Sequence, residues 1–163
     1  MITTAGRGSF GPLDQDDPVK LKAYTDGGSR GNPGPAAFAL VITDESGSII
    51  KEYGRYLGRM TNNEAEYNGA IAALKEALAL GADEIDVFSD SEVMVRQVNG
   101  VYRCKAANLQ PFLDQVRELR SKFKRSSFFN VPRDHPMVFR ADRLLNEEQD
   151  TMRSLQPRGR PNP

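Results

Sequence analysis

From residue 19 the chain alternates. Val19, Leu21 and Ala23 fall on one side and Lys20, Lys22 and Tyr24 on the other, the period-two pattern of a strand with one buried face. The run AAFALVIT at residues 36–43 is apolar almost throughout and predicts a strand covered on both faces. DESG at 44–47 is a turn and SIIKEYGRYL at 48–57 a third strand, so the first three segments read as an antiparallel meander. Then the period lengthens. Tyr67, Ile71, Leu74 and Leu78, with Ala70, Ala73 and Ala77 beside them, have helical spacing that ends at Gly81, and Thr61 with Glu64 forms a capping box at the start. IDVFS at 85–89 is a short strand, and Val93, Val95 and Val98 fit a short helix closed by Asn99 and Gly100. After a basic connection, VYRCKAAN at 101–108, the residues Leu113, Val116, Leu119 and Phe123 mark an amphipathic helix within 109–123. SFFNV at 127–131 reads as a last strand and PRDHP at 132–136 as a loop. A final helix carries Ala141, Leu144, Leu145 and Met152, with Asp142 in its first turn. The order is three strands, helix, strand, two helices, strand, helix, which predicts one α/β domain with a mixed sheet over residues 19–153.

Composition changes the ends of this picture. Residues 1–18 hold Gly6, Gly8, Gly11, Pro12, Pro18, Asp14, Asp16 and Asp17 around a single large anchor, Phe10, and predict a disordered arm; residues 154–163, with PRGRPNP, predict a disordered tail. The 22 basic and 22 acidic residues cancel, so net charge names no partner. Their placement is uneven, however. Between Arg96 and Arg125 stand Arg96, Arg103, Lys105, Arg117, Arg120, Lys122, Lys124 and Arg125 against only Asp114 and Glu118. That excess reads either as a surface for a phosphate backbone or as a solvated helix face. The single Cys104 precludes an intramolecular disulfide and fits a reducing compartment. No apolar run reaches the roughly 18 residues of a membrane span, and MITTAGRGSF lacks the apolar core of a signal peptide, so a soluble, cytoplasmic monomer without a small-molecule cofactor is expected.

The candidate chemistry lies in acids at element ends. In LKAYTDGGSRGNPGPAA, Asp26 stands where an extended segment breaks into glycine, a place that admits a metal and a polyanion; an Asp-Gly turn between strands is the plainer reading. Because Glu64 has a capping role, Glu66 is left on the small, core-facing stripe of its helix, although Asn63 and Glu66 offer a second capping box. Asp90 closes a strand, and it is also a favoured N-cap. Asp142 suits a helix dipole. If Asp26 and Asp90 close neighbouring strands at corresponding ends, Glu66 and Asp142 can reach in from helices. Such a group cannot stay fully ionised without counter-charge. Hard oxygens with no Cys or His pair point to Mg²⁺ or Mn²⁺ rather than zinc. Two such ions about 3.5–4 Å apart would clamp a phosphoryl transfer, which implies phosphodiester hydrolysis.

YTDGGSRGNPGPAA, TNNEAEY, FSDSEVMVRQVNG and RADRLLNEE, in that order and over residues 20–150, resemble the type 1 ribonuclease H family, most closely its compact bacterial and archaeal members. The resemblance implies a ribonuclease H-like fold: a five-stranded mixed sheet, an antiparallel meander of three strands plus two parallel strands, flanked by helices. It also implies two-metal, Mg²⁺-dependent cleavage of the RNA strand of an RNA–DNA hybrid, leaving 5′-phosphate and 3′-hydroxyl ends. By motif, Asp26 would bridge both metals, Asp142 would join it on the metal that activates water, and Glu66 with Asp90 would hold the metal at the leaving 3′ oxygen. The family's RNA-strand contacts fall on the Gly27, Gly28 and Ser29 backbone, Asn32, Asn62, Asn63 and Glu92, and the DNA strand would lie over Arg96, Arg103 and Lys105. The family's basic protrusion is reduced here to VYRCKAAN, and no separate hybrid-binding module is expected ahead of the domain, so affinity would rest on the domain itself. Many relatives carry a helper His before the last helix. Here Asn130 stands at one alignment of it and the link from Arg133 to Asp142 is longer than usual. His135, the only histidine, reads either as that helper displaced or as a surface loop residue. A same-fold nuclease acting on a DNA junction and a non-catalytic nucleic-acid-binding domain are the alternatives.

Overall fold

The computed structural model describes residues 17–155, so most of the expected arm and the tail from 156 onward lie outside the described residues. The elements are β1 (Lys20–Ser29), β2 (Gly34–Thr43), β3 (Ile49–Met60), α1 (Asn62–Ala79), β4 (Glu84–Ser89), α2 (Glu92–Val98), α3 (Gln110–Arg120), β5 (Arg125–Asn130) and α4 (Pro136–Ser154). They build one five-stranded sheet in the order β3-β2-β1-β4-β5. β1 and β2, and β2 and β3, pair antiparallel; β1 and β4, and β4 and β5, pair parallel. This is the expected meander with two parallel strands added.

The period of two along β2 decides what covers each face. Phe38, Leu40 and Ile42 enter a cluster with Tyr67, Ile71 and Leu74 of α1, Met94 of α2 and Leu113 and Val116 of α3. Ala37, Ala39 and Val41 face the other way, against Val138, Ala141 and Leu145 of α4. Tyr24, on the polar side of its strand by sequence, belongs to this second cluster, because α4 covers that face too. Among the described residues no helix is long and apolar enough to cross a membrane.

Two expectations about the site's frame are corrected. First, β1 does not stop at Asp26. Gly27 and Gly28 stay in the ladder opposite Phe38 and Ala37, and the chain turns over residues 30–33. The glycine is there for proximity: a Cβ on Gly27 would lie 2.5 Å from the Ala65 carbonyl and 2.6 Å from the Glu66 nitrogen. Only a residue without a side chain lets the first turns of α1 rest on β1. Second, Asp142 lies beyond the first turn, since α4 starts at Pro136 with His135 as its N-cap, and the dipole argument for Asp142 falls away. PMVF at 136–139 continues the helix that the PRDHP loop had hidden. Smaller shifts extend β3 to Met60, start β5 at Arg125 and carry α4 to Ser154, one residue past the expected boundary of the domain.

Gly27→Ala should cost about 2–3 kcal/mol of unfolding free energy in urea denaturation, since rigid backbone must move. Gly47→Ala should cost about 1 kcal/mol, because an added Cβ there meets nothing within 4 Å and only its positive φ resists. Equal losses would show that α1 does not depend on the bare backbone of Gly27.

Candidate active site

Register brings the first pair of acids together. Thr25 pairs with Ser89 across the parallel β1–β4 ladder, so Asp26 and Asp90, one residue further on, are neighbours. Ser91, not Asp90, caps α2, its side chain accepting a hydrogen bond from the Met94 N–H at 3.3 Å, and that leaves the Asp90 carboxylate free. Glu66 comes from α1. Thr61 and Glu64 form the capping box there, with hydrogen bonds of 2.9 and 3.1 Å, which removes the alternative pairing of Asn63 with Glu66. Carboxylate oxygens of Asp26, Glu66 and Asp90 all lie within 4.8 Å of one another. Asp142 stands outside that closest group but within hydrogen-bonding reach of Asp26. Asn146, one turn on, donates to its carboxylate at 3.3 Å. The four acids line one open cleft of about 470 Å³ together with Gly27, Gly28, Ser29, Asn62, Asn63 and Arg133.

The charges in this cleft oppose one another. Burial pushes Asp26 up to about 8, with Asp90 and Asp142 adding to the rise, while the Gly27 N–H, donating at 2.9 Å, works against it. Glu66 is raised well above the usual carboxylate range, first by burial and then by Asp26 and Asp90; its Oε1 is sealed from solvent without a hydrogen-bond partner. Burial also raises Asp90, and the Arg133 guanidinium opposes that rise. A buried carboxylate oxygen with no donor, beside two more acids, costs free energy as it stands. The donor set fits a hard divalent cation: oxygens only, close enough for one ion to touch several, and neither His nor Cys in the cleft lining.

The expected nucleic-acid contacts divide. Asn62 and Asn32 stitch the β1–β2 turn to α1: the Ser29 N–H donates to Asn62 Oδ1 at 2.7 Å and the Asn62 N–H to Asn32 Oδ1 at 3.0 Å. Glu92, Arg96, Arg103 and Lys105 do not line the cleft. Glu92 and Arg96 pair with each other at 2.8 Å, and Arg103 and Lys105 are exposed on the connection between α2 and α3. His135 is not a cleft residue either. Its Nδ1 accepts the Met137 N–H at 3.2 Å and its ring stacks on Tyr24 with centroids 5.3 Å apart, so it closes the start of α4. Asn130, the other candidate for that position, donates to the Ser89 carbonyl at 3.1 Å and ties β5 to β4. Sequence reasoning missed Arg133, Asn146 and Gln149. Asn146 and Gln149 follow Asp142 at helical spacing, a signal that was present; Arg133 sits in an irregular loop, where spacing says nothing.

A mixed sheet in this order, with acids at matching ends of its two central parallel strands and more acids offered by helices from both faces, defines a ribonuclease H-like domain. The sequence profile of the reverse transcriptase-like family matches residues 24–141, and the chain belongs to that family. It is 41% identical over 131 residues to the ribonuclease HI of Halobacterium salinarum, covering 80% of this chain and 65% of that protein. The crystal structure of that archaeon's RNase H1 superposes with a TM-score of 0.78 over 81% of this chain and 98% of that chain. LC11-RNase H1, solved in complex with an RNA/DNA hybrid, matches at 39% identity and a TM-score of 0.76, over 81% of this chain and 98% of that one. A bifunctional protein of Mycobacterium tuberculosis is 41% identical over 133 residues. The match spans 81% of this chain but only 36% of the mycobacterial protein.

In the metal-free fold the Asp26 carboxyl, pushed up to about 8, holds its proton well above the ordinary Asp value of about 3.9. Between those values the folded state binds more protons than the unfolded one. Stability is therefore greatest at the acid end of this window and falls as pH rises through it. In chelator at pH 8, Asp26→Asn should raise Tm by at least about 3 °C and flatten the decline between pH 4 and 8. A variant with lower Tm and an unchanged slope would refute this charge balance.

Proposed function

We propose that this domain hydrolyses the RNA strand of RNA–DNA hybrids at the acidic cleft, with divalent metal held by Asp26, Glu66, Asp90 and Asp142. The observation that carries the reading is the meeting of Asp26, Glu66 and Asp90 oxygens within 4.8 Å, with Asp142 beside them, in a cleft also lined by Gly27, Gly28 and Ser29. The likeness to LC11-RNase H1, solved with a hybrid, supports the substrate. Mg²⁺ is the ion that fits, with Mn²⁺ as a substitute; when bound, such ions supply positive charge to a phosphodiester and acidify water.

The chain's own residues bind and orient. Asp26 is central, since both Asp90 and Asp142 act on it. Arg133 offsets the negative charge on Glu66 and Asp90 and, as a residue of the cleft lining, binds a phosphate oxygen. Asn32 and Asn62 use their carbonyls in the stitch to the β1–β2 turn, which leaves their NH₂ groups as donors for a bound strand. With Ser29 they face the RNA strand, whose 2′-hydroxyls separate it from DNA. Arg103 and Lys105 contact phosphates of the DNA strand, a term that falls with salt. His135 caps α4 through Nδ1 and stands outside the cleft lining. The products are a 5′-phosphate and a 3′-hydroxyl.

The test is cleavage of labelled RNA–DNA hybrid beside double-stranded RNA, double-stranded DNA and a four-way junction, each with Mg²⁺, Mn²⁺ or chelator. Only the RNA strand of the hybrid should be cut, and only with metal. Junction cutting would replace the substrate, and hybrid binding without cutting would make the domain a binding module. Asp90→Asn should fold normally and lose at least about 10³-fold in kcat, the scale of lost electrostatic stabilisation; near-normal turnover would displace the site. Arg133→Ala should lower turnover by about tenfold or more while the fold, by circular dichroism, is unchanged. An unaltered rate would free Arg133 from the mechanism.

A further inference from the structure

A second pocket opens beside the acidic cleft and shares two residues with it, Arg30 and Gln149. It has a volume of about 250 Å³ and is completed by Pro35, Tyr56, Met152 and Arg153. Its chemistry differs from the cleft's. Pro35, Tyr56 and Met152 give it apolar walls, and guanidinium groups stand at its rim where the cleft has carboxylates. Arg30 is held toward α4 by Asp150 at 2.8 Å, a pair with side chains 37% and 69% exposed, which a phosphate can displace at little cost. Arg153 is exposed in the last turn of α4.

Gln149 makes the connection between the two cavities. It is a polar side chain only 6% exposed. Its Nε2 donates to the Gly28 carbonyl at 3.3 Å and to the Pro35 carbonyl at 3.2 Å. Those two acceptors fix which end of the amide is NH₂. The Oε1 is then an acceptor with no donor among the described residues, on a side chain that lines both cavities.

We propose that this pocket holds one ribose–phosphate unit of the strand whose scissile phosphate lies in the acidic cleft. The ribose packs on the Tyr56 ring and Met152, the phosphate sits between Arg30 and Arg153, and Gln149 Oε1 accepts a hydrogen bond from the 2′-hydroxyl. A deoxyribose has no such donor, so the pocket reads RNA against DNA at a second nucleotide, away from the bond that is cut. This rests on the hydrolase reading above and adds a subsite to it.

The experiment moves one uncharged methylphosphonate, and separately one 2′-deoxy nucleotide, along the RNA strand of a hybrid. Cleavage and, by fluorescence anisotropy, binding are measured for the wild type, Arg153→Ser and Tyr56→Ala. In the wild type, one position other than the scissile nucleotide should raise KM about fivefold for each change, with kcat nearly constant, the scale of a single phosphate or hydrogen-bond contact. Arg153→Ser should raise KM similarly on unmodified hybrid and make the methylphosphonate at that position silent. Tyr56→Ala should blunt the 2′-deoxy effect there. Identical position profiles in wild type and both variants would overturn the subsite. If the wild type binds hybrid without cutting it and Arg153→Ser still silences one position in binding, the pocket stands and the hydrolase reading falls.

Discussion

The repulsion among Asp26, Glu66 and Asp90 is the constraint on which the rest of this molecule turns. Their oxygens lie within 4.8 Å of one another, one of them is sealed without a partner, and burial holds all three carboxyls above their usual range, with Asp90 adding to the rise at Asp26 and Glu66. Nothing in the stability of a bare fold favours such a cluster. It persists because each acid is fixed by an element with other reasons to be where it is: a parallel ladder for Asp26 and Asp90, a capped helix for Glu66, a packed helix for Asp142. The donor set suits a hard cation, and the cluster is assembled at the expense of the fold's own stability.

The scaffold meets that strain with two close approaches. Gly27 lets α1 rest on β1, and Gly54 lets α4 cross β3, where an added Cβ would come within 2.8 Å of the Leu144 carbonyl. Small residues on the α4 side, Ala37, Ala39 and Ala141, draw that helix close to the sheet. Arg140 then ties it to Glu52 by two hydrogen bonds of 2.6 and 2.8 Å, and the stack of His135, Tyr24 and Phe88 closes its start. Asp142 thus rides on a helix held at both sheet contact and origin, and its distance from Asp26 is set by packing rather than by a loop.

The basic stretch read from the sequence dissolves in part once folded. Arg96 pairs with Glu92, Arg125 with Glu84 at 3.0 Å, and Arg120 packs on Phe128 while donating to Ser126. Arg96 pairs within α2 and Arg125 joins β5 to β4, while Arg120 ties α3 to β5 and to the end of α2. Arg103 and Lys105, by contrast, stand exposed on the irregular connection. Proximity in sequence gave one patch; the fold separated structural cations from those open to a polyanion.

Much of the fold was legible because its signals are local. Alternation in β1, the unbroken apolar run of β2, the Thr61–Glu64 box and the spacing of Tyr67, Ile71 and Leu74 each act within a few residues, and each element formed where they pointed. The acids were legible as candidates at element ends, but each kept a structural alternative until the fold gave the α1 box to Glu64 and the α2 cap to Ser91. Where local signals conflicted, the sequence misled. Gly27 and Gly28 read as a break but stay in the strand, because what they serve is contact with α1, far along the chain. Asp142 read as a first-turn residue because Pro132 and Pro136 masked the true start of α4. The sequence by itself determined which elements form and which carboxylates stand at their ends, since propensity, capping and burial pattern are short-range properties. Only the tertiary structure decided that Arg133 and Gln149 belong to the cleft, that His135 does not, and how near the acids stand. Those facts depend on strand register and on the distance of closest approach between helix and sheet, which no stretch of sequence carries alone.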